Sequence, residues 1–199
     1  VRSCVYNVNY HIVLYIASDG AEADFHKPYR DLEYRIAREQ RKLSHMVRGS
    51  FNYKKQCVCI AKLHAKAKHQ RSDTLHKLSC SLTDRYDVIS IEDLDMRAMK
   101  RSLKFGKSVS DNGWGMFVSI LGYKAELKGK AIVKVDKWFP SSKTCCARGY
   151  IHKELLLKDR VCICPACGNV MGRDVQAAVN IDREGLRIFL EEEAGTLAS

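Results

Sequence analysis

Five of the chain's nine cysteines crowd between residues 145 and 167. One group, Cys164-Pro165-Ala166-Cys167-Gly168, has the spacing with which two thiolates grip a single metal ion. Two such knuckles about 15 to 20 residues apart supply the four donors of a tetrahedral zinc site, and they oblige the chain between them to fold back on itself. The left-hand group is Cys145-Cys146-Ala147-Arg148-Gly149, with an arginine where the second thiolate belongs. Arginine stays protonated and offers no lone pair, so it cannot be a ligand. Cys145, Cys164 and Cys167 keep three of the four positions, and Cys146, Cys162 or His152 could complete the set. Residues 141–172 therefore read as a zinc-ribbon-like insertion, expected to carry a weakened or remodelled zinc site, with a ribbon holding no stable metal as the alternative, and to yield substoichiometric zinc.

Nine is an odd number of cysteines, and residues 1 to 20 lack the charged and then apolar regions of a secretory signal. A disulfide scaffold is thus disfavoured. Cys4, Cys57, Cys59 and Cys80 sit among apolar neighbours and read as core packing. No run of about 18 apolar residues is present, so no membrane partner is expected and a soluble, cytoplasmic protein is.

The net charge of +11 is concentrated. Residues 27 to 77 hold 14 basic side chains against four acidic ones, a net +10. The apolar residues Tyr29, Leu32, Ile36, Leu43 and Met46 mark one face of a helix, Gly49-Ser50 breaks it, and Ile60, Leu63, Ala67, Leu75, Leu78 and Leu82 resume the spacing. The segment from about 27 to 82 reads as a basic helical hairpin. Its charge is either a solvated face or a site for a polyanion, and Lys54, Lys55, Lys62, Lys66, Lys68 and Arg71 are the candidate nucleic-acid contacts.

Around the hairpin, strand and helix patterns alternate. Residues 4 to 16 are β-branched and aromatic, and Ser18-Asp19-Gly20 is a turn signal. Val88 to Leu94 is a short buried strand ending in Glu92-Asp93. A helix is expected over about 110 to 128 with Gly129 as its stop, then a strand at Ala131 to Asp136, and a final helix from Arg173-Asp174. This order predicts an α/β domain, with residues 1–140 as its core and 173–199 as its last motif.

A strand ending in Glu92 and an aspartate, Asp174, at a helix mouth could hold a hard cation such as Mg²⁺ through carboxylate oxygen. Asp174 could equally be an ordinary N-cap, and acids at strand ends are common.

Three segments together, VISIEDLDMRAM, SDNGWGMFVSILGYKAELKGKAIVKVDKWFPSSKTC and CPACGNVMGRDVQAAVNI, closely resemble the C-terminal half of TnpB. This is the OrfB-type transposase family of small bacterial insertion sequences, related to the type V CRISPR nucleases. The resemblance runs from about residue 1 to residue 181. It implies an RNase H-like, RuvC-type nuclease domain interrupted by a zinc ribbon, guided by RNA to cut DNA with Mg²⁺. It also implies metal-binding roles for Glu92, in the I-E-D-L motif, and for Asp174, in R-D-x-N-A-A.

Three departures qualify the resemblance. The family's first aspartate falls where this chain has Val5-Tyr6-Asn7-Val8-Asn9, with Asn7 the best match and Asn9 the alternative. An amide lacks the charge that holds a metal ion, so catalysis should be impaired. Gln176 replaces the asparagine of R-D-x-N, and Arg148 replaces a knuckle cysteine. The chain also opens at Val1 on the first nuclease strand, so a partial chain is expected, and the family's N-terminal half cannot be assumed. A nuclease-dead nucleic-acid-binding protein and a decayed copy without function are the competing readings.

Overall fold

The computed structural model describes residues 3–7, 13–18, 22–24, 28–94, 113–156 and 159–197. Its centre is a five-stranded mixed sheet in the order β3-β2-β1-β4-β5, formed by β1 (Ser3–Asn7), β2 (Val13–Ala17), β3 (Glu22–Asp24), β4 (Val88–Glu92) and β5 (Ala131–Val135). The first three strands form an antiparallel meander, while β1, β4 and β5 run parallel. Parallel neighbours need crossovers, and helices supply them here.

The first crossover contains the hairpin of α1 (Pro28–Ser44) and α2 (Phe51–Arg85). Ser50 caps α2, its side chain accepting from the Tyr53 N–H at 3.1 Å. The two helices run antiparallel, since Glu39 near the end of α1 meets Gln56 near the start of α2, and Tyr29 stacks on His64. Within the hairpin Glu39 accepts from Gln56 Nε2 at 2.9 Å, Lys42 Nζ at 3.0 Å and Arg38 Nε at 3.1 Å. Its carboxyl falls from 4.5 to about 2, with Gln56 the first cause and Lys42 the next.

The far end of α2 turns to the sheet and to α3 (Trp114–Leu127). Leu75 and Leu82 of α2, Ile89 and Ile91 of β4, and Trp114, Phe117 and Leu121 of α3 form the main core. Lys124 is buried there, and its ammonium donates to the His76 carbonyl at 2.6 Å, Ser79 Oγ at 3.0 Å and Cys80 Sγ at 3.0 Å. The other sheet face is covered by α4 (Arg173–Leu197). Ala178 and Ile181 of α4 pack on Val135 of β5, with Phe139 and Ile188 beside them. At Gly185 the helix comes so close to β4 that any β-carbon would overlap Ser90 Oγ.

The core-packing expectation fails for three cysteines. Cys57 and Cys59 are half-buried, and Cys80 is exposed. Apolar neighbours in sequence do not imply burial on a helix, because residues two apart point in nearly opposite directions. Leu82 takes the inward direction and Cys80 the outward one.

Between β5 and α4 lie a two-stranded ribbon, β6 (Val161–Ile163) paired to β7 (Val170–Gly172), and a bridge between Thr144 and Ile151. This segment leads directly into α4. Asn180 ties the two together, donating to the carbonyls of Ser141 at 2.8 Å and Thr144 at 2.6 Å.

Candidate functional site

Because β1, β4 and β5 are parallel, their carboxyl ends leave the sheet along one edge, where ligands of open α/β sheets bind. The register pairs Tyr6 with Ile91 and Glu92 with Val135. One step further along β1, Asn7 comes level with Glu92. Strand alternation puts Glu92 on the same side as Ser90, the side covered by α4. Ala178 packs on Val135, and Asp174 lies one helical turn before Ala178. The backbone thus gathers Asn7, Glu92 and Asp174 at one end of the sheet. Asn9 lies outside the described residues.

The two carboxylates meet different surroundings. Burial pushes the Glu92 carboxyl above its usual range. An open cleft beside it is lined by Ile91, Leu94, Trp114 and Lys134. Asp174 instead faces cations, with Arg173 Nη2 at 3.4 Å and Arg160 Nη1 at 3.7 Å. No sequence signal points to Arg160, which reaches Asp174 only because β7 and the start of α4 fold back beside it, where the Arg173 N–H donates to the Arg160 carbonyl. Gln176, one turn into α4, is fully buried, and its amide oxygen and nitrogen have no hydrogen-bond partner among the described residues.

In the ribbon, the sulfurs of Cys145, Cys164 and Cys167 all lie within 4.8 Å of one another and could hold a metal ion. The Cys145 and Cys167 sulfurs are 3.7 Å apart. The two knuckles share one backbone design. The N–H of Cys145 donates to the Tyr150 carbonyl at 2.8 Å, and that of Cys164 to the Asn169 carbonyl at 2.9 Å. The N–H of Gly149 donates to Cys145, and that of Gly168 to Cys164, both at 2.8 Å. Gly149 and Gly168 have φ of 70° and 69°, a left-handed turn that favours glycine. Arg148 therefore stands in the slot that Cys167 fills in the second knuckle, with its side chain exposed. Desolvation opposes ionisation of the buried Cys145 thiol, but the N–H groups of Arg148 and Ala147 and the neighbouring thiols outweigh it, so its pKa is lowered. None of the alternative fourth ligands joins the cluster. The Cys146 sulfur turns to Met171 Sδ at 3.7 Å, and Cys162 and His152 lie outside the group of three.

On the hairpin, Lys54, Lys55, Lys62, Lys66 and Lys68 are all exposed. Lys55, Lys62 and Lys66 are seven and four residues apart, so they share one face. Arg71 is half-buried, with its stem close to Gly113 at the head of α3, and so stands apart from the exposed lysines. Among the described residues no helix is long and apolar enough to cross a membrane.

Two family models match the chain. One, described as a probable transposase of the OrfB type, covers residues 11–103, and the other, the Cas12f1-like TNB domain, covers residues 114–181. A relative from Streptomyces pristinaespiralis, named "Putative RNA-guided DNA endonuclease", is 40% identical over 152 residues, which is 76% of this chain and 38% of the relative. A second, from Escherichia coli (strain K12) and named "Putative RNA-guided DNA endonuclease InsQ", is 29% identical over 82% of this chain and 44% of its own length. The chain spans about two fifths of the length of these curated relatives. Among solved structures, a chain of a Cas12f1–sgRNA–target DNA complex matches 90% of this chain and 48% of its own length at a TM-score of 0.58 and 16% identity. A chain of a CRISPR–Cas12f ternary complex matches 90% of this chain and 38% of its own at a TM-score of 0.62 and 17% identity. At such identities the likeness establishes a shared mixed α/β fold.

Proposed function

Because the chain belongs to the TnpB-like family of OrfB-type transposase proteins, we propose that it is the RuvC-type, RNase H-like nuclease portion of an RNA-guided DNA endonuclease, with a zinc-ribbon insertion. Residues 1–140 and 173–199 would form the nuclease domain and 141–172 the ribbon. DNA and a guide RNA are its partners on this reading, and the exposed lysines of the hairpin would face their phosphates.

The observation that carries the reading is the convergence of Asn7, Glu92 and Asp174 at the carboxyl edge of β1, β4 and α4's first turn. Mg²⁺ bound there would polarise the scissile phosphate and make a neutral-pH nucleophile of water. Glu92 and Asp174 supply hard oxygen donors suited to such an ion. Asn7 supplies an uncharged amide oxygen, so ion binding is weaker and cleavage impaired. The Glu92 carboxyl, raised by burial, gains from a cation beside it, because an opposite charge favours the ionised form. Arg173 and Arg160 lie beside Asp174, at 3.4 and 3.7 Å from its carboxylate.

Three thiolates of the ribbon fit a zinc ion in part. A tetrahedral ion with Zn–S bonds of about 2.3 Å separates its sulfurs by about 3.8 Å, close to the 3.7 Å between Cys145 and Cys167. With Arg148 in the fourth slot, zinc would be held by three protein ligands and bind below full occupancy.

Incubation with single-stranded DNA and Mg²⁺ or Mn²⁺ tests the nuclease reading. Slow cleavage is expected, raised by Asn7→Asp and abolished by Glu92→Ala. Efficient cleavage that survives Glu92→Ala would overturn the assignment of the site. Asn7, at the position of the family's first aspartate, favours a second reading, a nuclease-dead nucleic-acid-binding protein. Salt-sensitive binding without cleavage, unchanged by Asn7→Asp, would select it.

A further inference from the structure

Two aromatic residues leave β5 together and part. Phe139 turns inward and packs with Val135, Ala178, Ile181 and Ile188. Trp138, its neighbour, is 79% exposed, whereas the chain's other tryptophan, Trp114, is 3% exposed. The turn between them is tied at both positions. The Trp138 N–H donates to Asp136 Oδ1 at 2.6 Å, and the Phe139 N–H to the Asp136 carbonyl at 3.0 Å. An indole is the largest apolar side chain and is highly buried on average. Here an anchored turn displays it to water, and no packing requirement accounts for that.

Its neighbourhood is polar and of mixed charge, with one cation at the ring. The Lys137 ammonium lies 5.2 Å from the ring centroid. An open cleft at the same edge is lined by Asp93, Leu94, Asp136 and Lys137. The Asp93 N–H donates to the Val135 carbonyl at 2.9 Å, which binds the ends of β4 and β5 together there. Trp138 stands three residues beyond Val135, the register partner of Glu92. A flat π-face flanked by a cation and a few residues from the carboxylates is the chemistry that receives a nucleobase and its phosphate. A protein partner would ask for a wider apolar patch than one ring set between Lys137 and Asp136.

We infer that Trp138 is a stacking platform for a base of the single strand presented to Glu92, with Lys137 facing its phosphate. The inference rests on the nuclease or nucleic-acid-binding reading above and adds a positioning residue to it. Stacking is sequence-tolerant, because every base has a π-face, so the platform would set where the strand lies without selecting its sequence.

Tryptophan emission tests this directly, since Trp114 is buried and the solvent-exposed signal comes from Trp138. The chain is titrated with a thymidine oligonucleotide without added divalent ion, so that nothing is cut, and with an abasic oligonucleotide of equal length. The thymidine strand is expected to quench the exposed emission and the abasic strand to leave it unchanged. Trp138→Ala is expected to weaken thymidine-strand binding by roughly five- to a hundredfold and abasic-strand binding hardly at all, while Trp138→Phe stays nearer the unaltered protein. Salt-sensitive strand binding with unquenched emission and an unaffected Trp138→Ala would overturn the platform and leave the nucleic-acid reading standing. Emission already shielded as protein concentration rises without any strand would overturn it in favour of a second copy covering the ring. Failure of the unaltered chain to bind either strand would overturn both.

Discussion

At the scale of single residues, Arg148 is the most informative position. The knuckle around it keeps the hydrogen bonds and the left-handed glycine of its intact counterpart, so the fold of the turn does not depend on a fourth thiolate. Restoring that thiolate should then cost little in structure. Arg148→Cys is expected to raise bound zinc to one per chain in a metal assay, while the unaltered protein stays below that. Full occupancy without the substitution would show that another donor completes the site. The three cysteines singled out by their spacing, Cys145, Cys164 and Cys167, do lie together. It could not exclude Cys146, because which way adjacent side chains point depends on Met171 and Asn169, which meet the Cys146 sulfur from across the ribbon. Arg160 beside Asp174 was equally illegible, since the pairing is made by chain folding back and not by any local motif.

At the scale of elements, the helices were legible from their periodicity, but their attachments were not. Glu39 lies in an unremarkable run of charge, yet it is buried and joins α1 to α2 through Gln56. Its carboxyl is depressed from 4.5 to about 2, so the folded state binds its proton less tightly than the unfolded chain. The stabilisation is therefore complete above the ordinary carboxylate range and is lost as pH falls from about 4.5 towards 2. Urea unfolding near pH 7 and near pH 3 should show a smaller loss of stability on acidification for Glu39→Gln than for the unaltered chain. The contact between α4 and the sheet has a different vulnerability. Gly185→Ala drives a methyl group into Ser90 on the buried strand and should destabilise by about 1 to 3 kcal/mol. Gly122→Ala on α3 meets nothing within 4 Å and should be neutral or stabilising by up to about 1 kcal/mol. Thermal melts of the two variants separate a packing constraint from helix propensity.

At the scale of the molecule, charge is the property that composition fixes and architecture distributes. The excess of +10 between residues 27 and 77 lies on one hairpin, and that hairpin belongs to the crossover from the antiparallel meander to β4. Converting Lys55, Lys62 and Lys66 to alanine should flatten the salt dependence of single-strand binding, lowering the log–log slope by about 2 if each contacts a phosphate. An unchanged slope would move the binding face elsewhere. The sequence by itself determined the main helices, the basic excess, the family resemblance and the cysteine spacing, because periodicity, composition and short-range spacing are local properties of the chain. Only the tertiary structure decided that Asn7, Glu92 and Asp174 share one edge, that Cys146 faces Met171 and not the other thiols, and that Trp138 stays in water while Phe139 enters the core. Those outcomes depend on strand register, on which way each side chain points, and on what comes to lie opposite it from distant parts of the chain.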